Sequence, residues 1–176
     1  MKIIAIGAVT AGGKTTFINA LKEKLPRAAS LHFDDYSFKG EVEDFSKWES
    51  EGADVHVWDL SPLKEDIERI IRSGGYDHLL LDYPFGYQHR MIRNYLDRCI
   101  FIDTPLDIAM ARRVLRDMKD SSADDIRNEM KAYLDYERPI YVRMLKDHLA
   151  DSDNVIDGSK PLDDIVSEAL EIIKNC

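Results

Sequence analysis

The chain has 176 residues, enough for one domain with a sizeable hydrophobic core. Its 24 Lys and Arg residues stand against 33 Asp and Glu residues, and the formal net charge of −9 argues against a nucleic-acid partner, which needs a basic surface. Its apolar runs are shorter than the roughly 20 residues of a membrane helix, and two cysteines are too few for a disulfide framework. We therefore expect a cytoplasmic protein with small-molecule partners and no membrane partner; the sequence leaves a homo-oligomer open.

The first strand, predicted over Lys2–Gly7, leads into a glycine-rich turn and a helix predicted over Lys14–Leu25. This turn matches the end of the phosphate-loop pattern G-x-x-x-x-G-K-[ST], whose first position falls on Ala8. An alanine at positive φ there would cost roughly 1 kcal/mol. Loop N–H groups, a helix N-terminus and a lysine attract phosphate, and a threonine hydroxyl suits Mg²⁺. The residues predicted to bind nucleotide phosphates are Ala11, Gly12, Gly13, Lys14, Thr15 and Thr16.

Strand-like and helical patterns then alternate along the chain. The further strands are predicted over Ala28–Phe33, His78–Asp82, Arg98–Asp103 and Asn154–Asp157. The further helices are predicted over Ser61–Arg72, Gln88–Leu96, Thr104–Lys119, Ser122–Ala150 and Pro161–Asn175. We expect Pro139 to break or kink the fourth of these helices. This alternation predicts an α/β fold with a five-stranded parallel sheet, within one domain that spans residues 1–176.

The segment from about residue 36 to residue 60 has no regular hydrophobic period. A stretch of this length without regular structure is usually functional or mobile, and we expect it to contain the substrate loop. Aromatic and polar side chains that suit a nucleoside-like base and ribose occur here, at Tyr36, Trp48, His56, Trp58 and Asp59. Both tryptophans also fit a core position, and for either one alone we slightly favour the core. The substrate-binding residues predicted from this region are Asp35, Tyr36 and Trp58.

Acidic residues follow the predicted strands, where the ligands of an open α/β sheet bind. These acids are Asp34, Asp35, Asp82, Asp103 and Asp157. Such a layer around a phosphate loop suits Mg²⁺ binding and proton abstraction, although each acid alone also fits a turn or a helix cap. For Asp103, which precedes a Thr-Pro helix start, we favour the cap. We predict that Asp82 holds Mg²⁺, directly or through water.

Four stretches carry a more specific resemblance, in order and in spacing along most of the chain. They are Gly-Gly-Lys-Thr-Thr at 12–16, Leu-His-Phe-Asp-Asp-Tyr at 31–36, Ile-Asp-Thr-Pro-Leu-Asp at 102–107 and Ala-Arg-Arg-Val-Leu-Arg-Asp at 111–117. This series resembles the uridine kinase and nicotinamide riboside kinase group of P-loop kinases. The resemblance implies the three-layer P-loop NTPase fold with helices on both faces of the sheet, a small helical lid at about 112–125, ATP and Mg²⁺. The chain departs from the group at Asp82, where Glu-Gly is usual, and in the loop 36–60.

The resemblance also implies roles for single residues. Asp34 would lie beside the acceptor hydroxyl and take its proton. It follows the second strand, which we expect to lie next to the central strand. Lys14 would bridge the β- and γ-phosphates, while Thr15 binds Mg²⁺.

Two further regions receive roles in the same way. The lid would present arginines to the transferring phosphate, with Arg112 and Arg116 catalytic and Arg113 binding the nucleotide. Without the resemblance, these arginines read equally well as a solvated helix flank. Gly158 and Lys160 resemble the segment that packs on adenine, or form a plain strand–helix connection.

These patterns predict an ATP-dependent phosphotransferase that moves the γ-phosphate to a hydroxyl of a small metabolite, in the first place a nucleoside or riboside. A nucleoside monophosphate kinase is one alternative, in which Arg90 and Arg93 would face the acceptor phosphate. A regulatory P-loop NTPase is another, but the Asn-Lys-x-Asp motif of a GTPase switch does not occur in the sequence.

Overall fold

The computed structural model describes the backbone of residues 1–176 and all side chains except that of Ser46. Its sheet consists of β1 (Lys2–Gly7), β2 (Ala28–His32), β3 (His78–Asp82), β4 (Arg98–Asp103) and β5 (Asn154–Asp157). All pairings are parallel and the order is β2-β3-β1-β4-β5, which confirms the predicted five-stranded parallel sheet. The expectation that the second strand adjoins the central one is wrong: β3 pairs with both β1 and β2, so β2 is an edge strand.

Helices cover both faces of this sheet. They are α1 (Lys14–Lys24), α2 (Phe45–Ser50), α3 (Ser61–Ser73), α4 (Leu106–Asp117), α5 (Ala123–Ala132), α6 (Arg138–Asp151) and α7 (Leu162–Lys174). Successive residues of a strand point to opposite faces, so Ile4 and Ile6 of β1 pack against α1 and α7. Ile3 and Ala5 pack on the other face with α3. No described helix is long and apolar enough to cross a membrane.

The segment 36–60 is more ordered than its sequence suggests. It contains α2 and a 3₁₀ turn at Val55–Val57, and Lys39 pairs with Asp59 in an antiparallel bridge. The Asp44 carboxylate caps α2 by accepting a hydrogen bond from the Lys47 N–H. The segment is therefore an ordered connection between β2 and α3 with short helical turns of its own.

The helix predicted over Gln88–Leu96 does not form, and a 3₁₀ turn at Arg93–Tyr95 stands in its place. The buried His89 side chain explains the difference. One ring nitrogen donates to the Trp58 carbonyl at 3.1 Å, and the other accepts the Met91 N–H at 3.3 Å. The first of these contacts is tertiary, so local sequence cannot reveal it, and the second fixes a non-helical turn at His89–Met91.

The long helix predicted after Ser122 is interrupted next to Pro139, since α5 ends at Ala132 and α6 begins at Arg138. A capping box between Ser122 and Asp125 starts α5, and a π-helical turn at Tyr133–Glu137 joins α5 to α6. Proline lacks the N–H that an α-helix interior needs, but it is accepted in the first turn. The wider turn, in which the Arg138 N–H bonds to the Tyr133 carbonyl, places Pro139 at that position of α6.

Candidate active site

A cavity of about 1460 Å³ opens at the carboxyl ends of the strands. Most of the residues predicted from the sequence to form the site line it. These are Ala11, Gly12, Gly13, Lys14, Thr15, Thr16, Asp34, Trp58, Asp82, Arg112, Arg113, Arg116, Gly158 and Lys160. Asp35 and Tyr36 are not among the described lining residues.

Tyr36 serves packing rather than the cavity. Its hydroxyl donates a hydrogen bond of 2.9 Å to Asp66 on α3, and its ring stacks on Phe38 with centroids 5.6 Å apart. Burial, reinforced by the Asp66 hydrogen bond, raises the pKa of the Tyr36 hydroxyl. The predicted contact between Tyr36 and substrate therefore has no support in the geometry.

The phosphate loop connects β1 to the N-terminus of α1. Gly13 caps the helix at φ 98°, and Ala11 has φ 56°, so the loop's positive-φ alanine is Ala11 and not Ala8 as expected. Gly12 donates its N–H to the Val9 carbonyl at 2.9 Å, and a Cβ at Gly12 would lie only 2.8 Å from that oxygen. The loop thus requires glycine at Gly12 for space and favours it at Gly13 for conformation.

Asp82 is the last residue of β3, and its carboxylate contacts polar side chains at the start of α1. Thr15 donates its hydroxyl hydrogen to Asp82 Oδ2 at 3.0 Å, and the Lys14 ammonium lies 3.9 Å from Oδ1. His32, at the end of β2, places Nδ1 3.4 Å from Oδ2. The carboxyl group is buried, with 6% of the residue exposed. These three neighbours therefore fix the orientation of its oxygens. The arrangement brings together the two predicted Mg²⁺ ligands, Thr15 and Asp82.

A second contact braces the loop from the side of β4. The Thr104 hydroxyl, fully buried, donates a hydrogen bond of 2.8 Å to the Gly12 carbonyl. Gly158 passes so close that a Cβ there would lie 2.0 Å from Thr104 Oγ1. Any side chain at Gly158 would therefore displace Thr104 and the loop behind it.

One of the strand-end acids, Asp157, stabilises a turn. Asp157 accepts hydrogen bonds from the Ser159 N–H at 2.9 Å and the Ser159 hydroxyl at 2.6 Å, which lower the pKa of Asp157. At Asp103 only the backbone carbonyl is engaged, as it accepts the Gly158 N–H at 2.9 Å. The turn interpretation therefore fits Asp157, whereas the expected cap by Asp103 does not form, because α4 begins after Pro105 with no side-chain cap.

Arginines of α4 face the phosphate loop. Arg112 extends over it, since a Cβ at Gly13 would lie 3.8 Å from Arg112 Nη1. Arg116 forms a two-point ion pair with the adjacent Asp117 at 2.6 and 2.8 Å, and this hydrogen bonding raises its pKa, with a smaller contribution from the nearby Asp34 carboxylate. Both guanidinium groups are largely exposed within the cavity lining.

Arg113 has a different environment from its neighbours. Its guanidinium donates to Glu129 on α5 at 2.5 Å, to Glu137 in the π-helical turn, and to the Tyr141 hydroxyl at 3.5 Å. The hydrogen bond with Glu137 is the main reason that its pKa is raised. Arg113 lines the cavity, but its donors are already used to join α4 to α5 and α6. A direct role in nucleotide binding stays a prediction.

An aromatic wall forms another side of the cavity. We define it as Phe33, Phe45, Trp48, Trp58 and Phe85, all of which line the cavity. Ring centroids are 5.4 Å apart between Trp48 and Trp58, 5.0 Å between Trp58 and Phe85, and 5.4 Å between Phe33 and Phe85. Trp58 is only 5% exposed, so it is both a core residue and part of the lining. Such edge-to-face clusters present flat apolar surface at fixed angles.

Asp34 lines the same cavity as the loop and this wall. It belongs to the 3₁₀ turn Phe33–Asp35 that follows β2, and its carboxylate is exposed to the cavity. The described residues provide it with no hydrogen-bond donor. A free carboxylate at this place can accept a proton from a bound hydroxyl.

Three residues of the site have no signal in the sequence that marks them. The sequence gives His32 no special role, Thr104 reads as a helix start, and Arg143 lies in the middle of a long helix. His32 is brought to Asp82 by strand pairing, because the two residues are register partners. Arg143 reaches the cavity because α6 lies beside α2. Arg90 and Arg93, considered for an acceptor phosphate, are outside the described lining.

Comparison with known proteins agrees with this architecture. No protein-family model matches the chain. A uridine kinase of Borrelia hermsii is 25% identical over 170 residues, which cover 83% of this chain and 81% of that protein. Nicotinamide riboside kinase 2 of Homo sapiens is 26% identical over 193 aligned positions, covering 98% of this chain and 81% of that protein.

A solved structure extends the comparison to the fold. The deoxyadenosine kinase of M. mycoides superposes with a TM-score of 0.54 at 14% identity, covering 99% of this chain and 100% of that one. At this identity the match concerns the fold alone. The sequence relatives, the shared fold and the phosphate loop together identify the chain as a small-molecule kinase of the P-loop fold, similar to the uridine kinases and nicotinamide riboside kinases.

Proposed function

We propose that the chain transfers the γ-phosphoryl group of ATP to a hydroxyl of a nucleoside or riboside. The observation that carries this proposal is the shared cavity, whose lining joins the phosphate loop, the Asp34 carboxylate and the aromatic wall. Phosphoryl transfer needs a donor and an acceptor held in line, with charge around the transferring group. A cavity of about 1460 Å³ has room for both molecules.

The donor end is the phosphate loop and its surroundings. Lys14 would contact the β- and γ-phosphates, and the N–H groups from Ala11 to Thr16 would surround them. Arg112 and Arg116 would neutralise charge on the transferring group, because both line the same cavity. Gly158 and Lys160 also line it and would lie against the adenine.

The residues at Asp82 fit a magnesium ion. Mg²⁺ prefers a few protein oxygens and completes its shell with phosphates and water. Thr15 Oγ1 and Asp82 Oδ2, only 3.0 Å apart, offer such oxygens. When bound, the ion would supply positive charge to the β- and γ-phosphate oxygens.

Asp34 would take the proton of the acceptor hydroxyl. In this step the hydroxyl oxygen bonds to the γ-phosphorus, and the bond from that phosphorus to the β,γ-bridging oxygen breaks. ADP leaves, and the proton moves to the Asp34 carboxylate. The open position of Asp34 in the lining supports this assignment.

Charge in the lining favours an acceptor without a phosphate of its own. The part formed by segment 43–58 and α6 is acidic, through Glu43, Asp44, Glu49 and Asp147. Its arginine, Arg143, already binds Glu49 and lies 3.5 Å from Asp147. A monophosphate at this part of the described lining would meet negative charge, and the arginine there is already paired, which costs binding energy. A nucleoside or riboside without a phosphate fits better than a nucleoside monophosphate.

An acceptor panel tests the proposal. ADP formation from Mg-ATP is measured with uridine, nicotinamide riboside, deoxyadenosine and uridine monophosphate, each against a sample without acceptor. We expect at least a tenfold stimulation by one of the three nucleosides and less than twofold by the monophosphate. Stimulation by the monophosphate alone would favour the nucleotide kinase. Slow hydrolysis that no acceptor changes would favour a regulatory NTPase.

A further inference from the structure

Arg143 connects α6 to the segment that carries part of the aromatic wall. Its Nη1 donates to the Glu49 carbonyl and to Glu49 Oε1, both at 3.1 Å, and its Nη2 donates to the Gly52 carbonyl at 3.0 Å. Its Nε lies 3.5 Å from Asp147 on the next turn of α6. One planar guanidinium thus spans two carbonyls at the C-terminal end of α2 and two carboxylates.

The residues around α2 have few other polar links to the rest of the chain. Apart from the bonds to Arg143, the hydrogen bonds found for the described residues of 44–53 stay within 44–54. They include the Trp48 Nε1–H to the Asp54 carbonyl at 3.0 Å and the Ala53 N–H to the Trp48 carbonyl at 2.9 Å. A six-residue helix is marginal without tertiary support. The guanidinium is therefore the polar anchor of this segment.

The helix that carries Arg143, α6, is itself fixed to the sheet and to the loop after β3. His148, one residue beyond Asp147, stacks on Phe101 of β4 with centroids 6.4 Å apart. Beyond it, the Asp151 carboxylate accepts the Tyr87 N–H at 3.1 Å. Because α6 is fixed on the sheet, the hydrogen bonds of Arg143 fix α2 relative to the sheet. They thereby also fix Phe45 and Trp48, which belong to α2.

We infer that Arg143 is a positioning residue. By holding α2 against α6, it fixes the position of the part of the aromatic wall that α2 carries, where the acceptor would bind. This inference rests on the proposed function, because the wall matters for catalysis only if an acceptor binds beside it. Arg143 itself transfers no proton and contacts no phosphate in this role. Its effect is on acceptor binding, with little effect on the chemical step.

The test compares Arg143→Gln and Arg143→Lys with Arg127→Gln. Arg127 is an exposed arginine of α5 that pairs with Asp124 and does not line the cavity, so it controls for the loss of one positive charge. Steady-state kinetics use uridine or nicotinamide riboside, whichever the wild-type protein phosphorylates faster. We expect Arg143→Gln to raise the acceptor KM about tenfold or more, with kcat changed less than threefold and the ATP KM less than twofold. Arg143→Lys keeps one donor and should recover part of the loss.

A second readout needs no acceptor. The chain has two tryptophans, and both belong to the aromatic wall. Release of α2 should increase acrylamide quenching of tryptophan fluorescence in Arg143→Gln at least 1.5-fold, while Arg127→Gln stays at the wild-type value. Circular dichroism checks that each variant is folded; if Arg143→Gln is not, Arg143→Lys provides both measurements.

The outcomes separate this inference from the proposed function. An unchanged acceptor KM together with unchanged quenching would overturn the positioning role. A fall in kcat at constant KM would overturn it as well, by assigning Arg143 to the reacting groups. If no nucleoside is phosphorylated, the proposed function fails, and the quenching result alone decides whether Arg143 anchors α2.

Discussion

The Thr104 hydroxyl, at the end of β4, donates a hydrogen bond of 2.8 Å to the Gly12 carbonyl within the phosphate loop. The two residues are 92 positions apart in sequence, and Thr104 is completely buried. The bond satisfies a loop carbonyl that would otherwise be buried without a donor. It also explains why position 158 is glycine, since a Cβ there would overlap Thr104 Oγ1.

Replacing Thr104 tests the importance of this brace. Thr104→Val keeps the shape but removes the donor, which leaves the Gly12 carbonyl unpaired. We expect the free energy of unfolding in urea to fall by about 1–3 kcal/mol and the ATP KM to rise. Thr104→Ser, which retains the hydroxyl, should lose less. Equal stability of the valine variant and the wild-type protein would contradict the brace.

Asp34→Asn tests the proton acceptor. The amide cannot take the proton of the acceptor hydroxyl, so kcat should fall at least ~100-fold while the affinity for ATP changes little. The adjacent Asp35 lies outside the described lining and offers a matched control. We expect Asp35→Asn to keep kcat within threefold. If the two variants lose activity equally, Asp34 has no special role.

The neighbouring arginines Arg112 and Arg113 should respond in opposite ways to substitution. Arg112→Ala removes an exposed cation above the loop, so kcat should drop roughly 10- to 100-fold without loss of stability. Arg113→Met leaves Glu129 and Glu137 without their cation, and we expect the free energy of unfolding to fall by about 1–3 kcal/mol. Thermal melts and steady-state kinetics on the same samples distinguish these outcomes. A stable Arg113→Met protein with impaired ATP binding would instead assign Arg113 to the nucleotide.

Burial of His148 predicts a dependence of stability on pH. Burial lowers the pKa of His148 below the value of about 6.5 expected in the unfolded chain. Between these two values the unfolded state binds more protons, so the free energy of unfolding should fall as the pH decreases below about 6.5. Each unit of difference contributes about 1.4 kcal/mol.

His148→Asn checks this prediction. Urea unfolding at several pH values between 7.5 and 5.5 should give a shallower slope for the variant than for the wild-type protein. Some slope should remain, because burial also lowers the pKa of His89. Identical slopes would show that His148 does not titrate differently in the two states.

Much of the fold could be predicted from the sequence because the signals are local. Buried apolar strands, capping residues and the glycine-rich loop each act over a few positions, and they placed the strands within a residue of their observed bounds. The helix predicted over Gln88–Leu96 failed for the converse reason. His89 makes its decisive contact with the Trp58 carbonyl, 31 residues away.

By itself, the sequence determined the phosphate-loop pattern and its place between β1 and α1. The residues of such a loop are contiguous, so spacing alone is enough to recognise Gly12, Gly13, Lys14 and Thr15. Tertiary structure decided the rest of the site, where residues far apart in sequence meet. It placed β2 at the sheet edge, brought His32 to Asp82, moved Tyr36 away from the cavity, and brought Arg143 to α2. These contacts depend on strand order and helix packing, and no local pattern encodes them.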